Sequence, residues 1–279
     1  MTKKRRIIFI SVWVLCAAAF LVSAFLIGGN GRDESIREAM RDAVLHGTNR
    51  IGLFGIIEVN PAVVSAYTVT GIILIFAVLI RIFAVPRFKT IPGRFQMLIE
   101  EAVGFFDNLA KTNSPHKNYF LGAYVFTAGV YIFIGTLFEL LGLQGVTAAG
   151  RSISLPAPLS DINGAIAMGV TSYLIIVSGG ILGNGFKGLF SALKEFSLPI
   201  SMSFRLFGAL LSGLLVTELV YYNIGLSIAL PVVVGVMFTA LHAIIQTYVL
   251  TMLTAVFYGE ASEKTVSHKK IKKNRRKEI

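Results

Sequence analysis

Long apolar stretches separated by shorter polar ones dominate the sequence and predict helices that cross a membrane. A crossing helix needs about 20 predominantly apolar residues, and six stretches meet that need. The last two are longer than necessary, which predicts long, tilted or bent helices, with "KEFSLP" and its Pro199 as the site of a bend. The six candidates are residues 7–28, 62–84, 120–143, 162–182, 189–222 and 224–258. The pattern therefore predicts an all-α polytopic membrane protein of about six segments.

Three polar stretches lie between these spans. Residues 29–58 predict an amphipathic external helix, and residues 144–161 predict an external loop that contains proline and glycine. Residues 85–118 predict a helix along the cytoplasmic membrane interface, because apolar residues recur there at helical spacing. Those apolar residues are Phe95, Leu98, Ile99, Ala102 and Phe106.

Composition and charge agree with a membrane location. Hydrophobic residues make up 54% of the 279 and charged residues 15%, whereas soluble domains carry about 25% charged residues. Most of the net charge of +11 lies in residues 3–6 and in the tail, residues 264–279. Six crossings place both termini on one side, and basic ends favour the cytoplasm. We interpret the basic tail as a topology signal that attracts anionic lipid, in preference to a site for nucleic acid.

The predicted organisation has four parts. The first is either a retained membrane anchor or a cleaved signal peptide, for which Val22-Ser23-Ala24 is a possible cleavage site. The parts are the anchor or signal segment 1–28, the external amphipathic segment 29–58, a membrane core 59–263 and the basic tail 264–279.

Motifs of soluble enzymes do not account for this chain. "GNGFKG" matches a dinucleotide fingerprint, but it follows a membrane segment and has no strand before it, so it predicts a cytoplasmic turn. The sequence contains no Walker motif, His-Glu metal motif or cysteine pair, and Cys16 is its one cysteine. We therefore expect no catalytic site for ATP, no cofactor and no metal site in this chain.

Arg205 is the conspicuous exception in the apolar stretch "SMSFRLFGALLSG". A charge at the centre of a bilayer costs about 2.5 kcal/mol or more, so intramembrane arginines are usually functional. On a helix its face is lined mainly by small residues, which lets another helix approach closely. The alternative is an arginine that pairs internally or extends to a headgroup. The residues on its face are Leu198, Ser201, Gly208, Ala209, Ser212 and Val216.

Other polar residues of the membrane region are candidates for an ion path. Thr239, His242 and Gln246 lie within about 40° of one another on a helix and face either a neighbouring helix, Arg205 or an ion path. Intramembrane carboxylates are typical proton relays. The alternative is that Glu139 and Asp161 are solvated at the external interface and that Glu195 is a surface charge at the cytoplasmic border. The carboxylates are Glu139, Asp161, Glu195 and Glu218.

These motifs, in this order, resemble subunit a of the F-type ATP synthase over roughly residues 58 to 263. The arginine stretch is similar to the family's Arg-Leu-Phe-Gly-Asn helix, and "HAIIQTYVLTMLTAVFYGEASE" resembles its final helix. "IPGRFQMLIEEAVGFF" and "LPAPLSDING" are similar to its cytoplasmic segment and its proline-rich loop.

The resemblance implies the stator of a rotary motor in a bacterial plasma (inner) membrane. Two half-channels would carry H⁺ or Na⁺ to and from the carboxylates of a c-ring, against which the last two helices form a hairpin. Arg205 would face the ring carboxylate, with Gln246 beside it. Peripheral stalk b subunits would be further partners.

The sequence departs from the family pattern at several positions. Ala209 replaces the usual asparagine, and Glu218 lies one turn beyond Leu214, where the family's carboxylate aligns. His242 likewise lies about one turn beyond Thr239, and Glu195 lies one turn from the usual cytoplasmic-side acid. The parallel shifts suggest that Glu218 and His242 form a displaced acid–histidine pair. Ser212, on the arginine face, completes the candidate ion path.

Two other functions fit less well. A secondary transporter could use Arg205 to bind an anionic substrate, but the internal repeat common in transporters is absent from the sequence. A membrane-embedded enzyme would need a nucleophile or metal constellation, which the sequence does not show. Co-purification of a ring separates a stator from a transporter.

Overall fold

The computed structural model describes the chain in ten stretches. For residues 53, 57, 119, 217–218, 220–222 and 230–234 only the backbone is described. The described residues are 9, 11–15, 18–19, 22, 41, 51–53, 57–115, 119–146, 152–222 and 230–263.

Within these stretches, helices account for most of the chain, and four short strands pair in two antiparallel hairpins. The helices longer than one turn are α1 (Pro61–Leu79), α2 (Arg94–Asn113), α3 (Tyr119–Phe138), α4 (Ile162–Asn184), α5 (Phe186–Lys194), α6 (Ser197–Tyr222) and α7 (Leu230–Ser262). The strands are β1 (Ile51–Leu53), β2 (Ile57–Val59), β3 (Gln144–Val146) and β4 (Ser152–Ser154). Ile51 pairs with Val59, and Gln144 pairs with Ser154.

The prediction of a mostly helical, multi-pass membrane protein is confirmed. Among the described residues, five helical segments are long and apolar enough to cross a membrane. The first predicted span, residues 7–28, lies largely outside the described residues, so the count of six stays a prediction. The five segments are Pro61–Arg87, Phe120–Leu141, Ile162–Asn184, Ser197–Val216 and Gly235–Ser262.

Three predictions about individual segments need correction. The single span predicted over residues 189–222 is wrong, because α5 ends at Lys194 and α6 begins at Ser197. The break falls within "KEFSLP", where a bend was predicted. Residues 51–53 and 57–59 pair as β1 and β2 where the end of an external helix was predicted, and residues 144–146 and 152–154 pair as β3 and β4 within the predicted loop. Most of the predicted helix over 29–50 lies outside the described residues.

Asn60 fixes the beginning of α1. Its side-chain Oδ1 accepts a hydrogen bond of 3.0 Å from the backbone N–H of Ala62, as an N-cap does. Pro61 then occupies the first helical position, where a missing N–H costs nothing. At its other end α1 continues as a π-turn (Ile80–Ala84) and a 3₁₀ turn (Val85–Arg87), which contains Pro86.

The amphipathic helix predicted within residues 85–118 is present as α2. Gln96, Phe106 and Ala110 are its buried residues. Phe95 and Leu98, by contrast, are 56% and 68% exposed, as expected for a helix that lays an apolar face on a membrane interface.

The contacts group the chain into two compact units, each with its own residues. The first unit comprises Met1–Thr68, Ile134–Asp161 and Phe207–Ile244. The second comprises Val69–Phe133, Ile162–Leu206 and Ile245–Ile279. Since the boundaries fall inside helices, α1, α3, α6 and α7 each contribute residues to both units.

"GNGFKG" forms the predicted turn, between α4 and α5 of the second unit. Gly185 has a φ of +61°, a left-handed conformation that favours glycine. A Cβ on Gly188 would overlap the carbonyl oxygen of Gly180, so glycine lets α5 fold back closely against α4. This close return places the start of α6 beside α4 in the same unit.

Candidate functional site

Arg205 lies in the first half of α6, in the second unit, and its side chain is exposed. Its neighbour Phe204 is 62% exposed, so the surroundings of the guanidinium are apolar and uncovered. None of the described carboxylates forms an ion pair with Arg205 within 4.0 Å. The internal pairing considered from the sequence is therefore not seen among the described residues.

The face of α6 that carries Arg205 is uncovered over several turns. Ser201, Gly208 and Ser212 are exposed, and a Cβ built on Gly208 would meet nothing within 4 Å. Ser212 turns its hydroxyl back onto its own helix, where it donates a 2.8 Å hydrogen bond to the carbonyl of Ala209. A partner helix could therefore approach this face closely.

The opposite side of this part of α6 is held against α4. A Cβ on Gly169 would overlap the Ser203 hydroxyl and would lie 2.9 Å from the carbonyl oxygen of Pro199. Ser203 donates a 2.6 Å hydrogen bond to that same carbonyl. Because α4 has no side chain at this point, α6 packs tightly on one side and presents Arg205 on the other.

Gln246 lies on α7 in the same unit as Arg205 and is 6% exposed. Its Oε1 atom is buried and has no hydrogen-bond partner among the described residues. A buried acceptor without a donor lowers the stability of the fold by about 1–3 kcal/mol. The stability of this chain therefore does not explain why a glutamine occupies this position. Gln246 and Arg205 do not form a hydrogen bond with each other in the structure.

In the first unit, His242 of α7 faces α6 at Gly213. A Cβ on Gly213 would lie 3.8 Å from His242 Nδ1, which is ordinary contact distance. The ring of Phe238 lies 6.0 Å from the imidazole, and Thr239 is buried. Glu218 belongs to α6, but its side chain lies outside the described residues.

Asp161 and Glu139 also belong to the first unit and have different surroundings. Asp161 directly precedes α4 and accepts a 2.6 Å hydrogen bond from Asn60 Nδ2. Asn60 thus caps α1 and binds Asp161 at once. Glu139 begins a 3₁₀ turn after α3 and is half-buried, and its carboxylate has no partner among the described residues.

Glu195, in the second unit, ends α5 and is exposed. It lines a cavity of about 120 Å³ together with Glu260 of α7. Sequence reasoning did not select Glu260, although it is the first acidic residue that follows the apolar run of the last helix. The hydroxyl of Tyr173 donates a 3.1 Å hydrogen bond to Ala192 and holds the end of α5 at this cavity.

Comparison with known proteins agrees with this arrangement. The sequence model of the family described as ATP synthase A chain matches residues 65–259 of the chain. The chain belongs to the ATP synthase A chain family. The match covers all five membrane-length segments in part or whole and includes both Arg205 and Gln246.

Individual members of the family are distant in sequence. The chain is 25% identical over 211 residues to ATP synthase subunit a of Cereibacter sphaeroides, which covers 71% of this chain and 80% of that protein. It is 23% identical over 239 residues to a protein of Propionigenium modestum named ATP synthase subunit a, sodium ion specific, covering 79% and 80%. As a family member, the chain is the stator ion-channel subunit of the ATP synthase and a multi-pass membrane protein of that complex.

The partnerless oxygen of Gln246 generates a testable prediction. Gln246→Leu should leave the thermal stability of the purified chain unchanged or slightly higher, because no hydrogen bond within the described chain is lost. Gln96→Leu is the matched control. Gln96 is 9% exposed, yet it accepts a hydrogen bond from the backbone N–H of Lys89 and donates to the Lys89 carbonyl and to Glu100.

The control should be destabilised by about 1–3 kcal/mol, since the Lys89 backbone groups lose their partner. The stability of both variants is measured by thermal unfolding in detergent, with circular dichroism as the readout. Equal destabilisation of the two would mean that Gln246 is a structural residue.

Proposed function

We propose that Arg205 is a fixed cation. A rotor ring carries its ion-binding carboxylates past this cation, one after another. Ions, either H⁺ or Na⁺, reach and leave those carboxylates through two half-channels in this chain. Their passage turns the ring and so drives ATP synthesis elsewhere in the complex. The observation that carries the proposal is the exposed guanidinium on a membrane-length helix, which has no ion-pair partner among the described carboxylates.

A mobile carboxylate resolves the electrostatic difficulty of that guanidinium. At about 4 Å and an effective dielectric constant of 20, opposite charges attract by roughly 4 kcal/mol. The same attraction lowers the pKa of the carboxylate, so an arriving ring site releases its ion. Water in a half-channel can still hydrate the carboxylate and separate it from Arg205 as the ring turns. Arginine suits the role because it does not deprotonate.

The remaining polar residues divide between the two compact units, and we assign one half-channel to each. The first unit would hold the external half-channel, to which His242 belongs. The second unit would hold the cytoplasmic one, which ends at the Glu195 cavity. The external set is Glu139, Asp161, Ser212, Glu218, Thr239 and His242, and the cytoplasmic set is Glu195 and Gln246.

The other partners follow from the same role. Peripheral stalk b subunits would hold the stator still against the torque of the c-ring, and the uncovered face of α6 would receive a ring helix. We place the protein in a bacterial inner membrane with both termini in the cytoplasm. The basic tail, which lies outside the described residues, would rest on anionic headgroups.

Replacement of the charge tests the proposal. Arg205→Ala should lower gradient-driven ATP synthesis in inverted membrane vesicles to below about one hundredth, because roughly 4 kcal/mol of attraction is lost. ΔpH and ΔpNa should be imposed separately, so that the transported ion is identified at the same time. Co-purification of the ring checks that the complex still assembles.

Arg81→Ala is the matched control, since Arg81 is likewise an exposed arginine within a membrane-length segment. It should retain most of the activity. Full coupled activity of assembled Arg205→Ala would contradict the proposal, as would purification of the native chain as an active transporter without a ring.

The displaced acid–histidine pair is tested by removing both groups. On a straight helix Glu218 lies about 7.5 Å along the axis and about 140° round α6 from Gly213, which faces His242. The two groups therefore do not share one helix face, and a proton exchanged between them would pass through water. Glu218→Ala with His242→Ala should slow ATP-driven proton pumping at least tenfold. Leu219→Ala with Met237→Ala, at exposed apolar positions, provides a double control on the same two helices. Equal rates for the two double variants would eliminate the pair.

A further inference from the structure

The bend between α1 and α2 surrounds a cavity that the proposed ion path does not use. Its volume is about 860 Å³, within the roughly 300–1,000 Å³ typical of small-molecule sites. All of its lining residues belong to the second unit. Apart from Gly93 and Gln96, they fall into two chemical classes: apolar side chains from the end of the α1 segment through the start of α2, and basic side chains at the bend.

The basic class consists of Arg87, Lys89 and Arg94. All three side chains are exposed, and none forms an ion pair with a described carboxylate. No acidic residue lines the cavity. Three converging cations without a counter-charge complement a phosphate group, to which arginine and lysine form charge-assisted hydrogen bonds.

The apolar class is equally uncovered. Phe83 and Phe95 are each 56% exposed and Ile91 is 84% exposed, although all three line the cavity. Only 6% of the apolar window of the Pro61–Arg87 segment is buried within the chain. Because this segment has the length and composition of a membrane span, hydrocarbon is the natural cover for its side chains.

Hydrogen bonds of the Gln96 side chain hold the bend in a defined conformation. The backbone N–H of Lys89 donates a 3.0 Å hydrogen bond to Gln96 Oε1, and Gln96 Nε2 donates a 2.8 Å bond to the Lys89 carbonyl. Gln96 Nε2 also donates to Glu100 at 2.7 Å. This double link holds the basic residues of the bend at a fixed place beside the end of the span.

We propose that the cavity binds one anionic phospholipid. Its phosphate contacts Arg87, Lys89 and Arg94, and its acyl chains lie along Phe83, Ile91 and Phe95. The combination favours a lipid over a protein segment, because the cations lie where a membrane-length helix ends and the apolar wall continues into that helix. Basic pockets at such positions bind lipid headgroups. The inference does not rest on the role proposed for Arg205.

The test measures lipid affinity in the purified, delipidated ATP synthase complex. Fluorescent phosphatidylglycerol is titrated into the complex in detergent, with phosphatidylcholine as the zwitterionic comparison. Arg87→Gln, Lys89→Gln and Arg94→Gln together should weaken one phosphatidylglycerol site about a hundredfold, since each charge removed costs about fivefold in affinity. The control removes the same charge elsewhere, with Lys111→Gln, Lys187→Gln and Lys194→Gln, and should change nothing.

A second variant keeps the charges and removes the apolar wall. Ile91→Ser with Phe95→Ser should also weaken phosphatidylglycerol binding, whereas a site for free phosphate would not respond to it. Millimolar inorganic phosphate should fail to displace the lipid. If the triple glutamine variant does not assemble, this variant and Arg94→Gln alone provide the test.

Three results would overturn the proposal. The first is equal phosphatidylglycerol affinity in the basic-site variant and the matched lysine control. The second is displacement of the lipid by inorganic phosphate. The third is loss of a stalk subunit from the basic-site variant while its lipid affinity is unchanged, since the cavity would then hold protein.

Discussion

An arginine on the uncovered face of a membrane-length helix requires a counter-charge, and the packing of α6 leaves the face around this arginine uncovered. Arg205 has no ion-pair partner among the described residues, and the α6 face around it consists of small, exposed positions. The helix is held from behind, where Gly169 of α4 lets Ser203 approach closely. A charge that costs free energy in the isolated chain is thus placed where an outside carboxylate can reach it.

The same logic extends to Gln246, whose buried Oε1 lacks a donor in the described chain. A polar group without a hydrogen-bond partner in its own subunit is a place where a partner subunit or a passing ion can form a favourable new interaction. Asn60 and Gln96 show the contrasting case, because the oxygen and the nitrogen of each amide form hydrogen bonds within the chain. These bonds cap α1, bind Asp161 and fix the bend after α1. The described polar side chains thus include groups that close a local structure and groups, such as Gln246 Oε1 and Thr247 Oγ1, that have no partner within the described residues.

Much of this could be predicted from the sequence, because apolar runs of span length and an amphipathic period depend only on local spacing. The long helices, α2 and the isolation of Arg205 follow from those patterns. The strands did not, since three-residue strands such as β1 are stabilised by pairing and not by their own propensity. Asn60 and Asp161 are 101 residues apart, and the Glu195–Glu260 cavity joins two helices, so neither contact has a local sequence pattern.

The most direct measurement is a structure of the assembled complex in its membrane, determined at a resolution that shows side chains. The account predicts the Arg205 guanidinium within about 4–6 Å of a carboxylate from a ring subunit, with the Ser201–Ser212 face of α6 against that ring. A guanidinium paired with a carboxylate of its own chain, with lipid covering the α6 face, would contradict it.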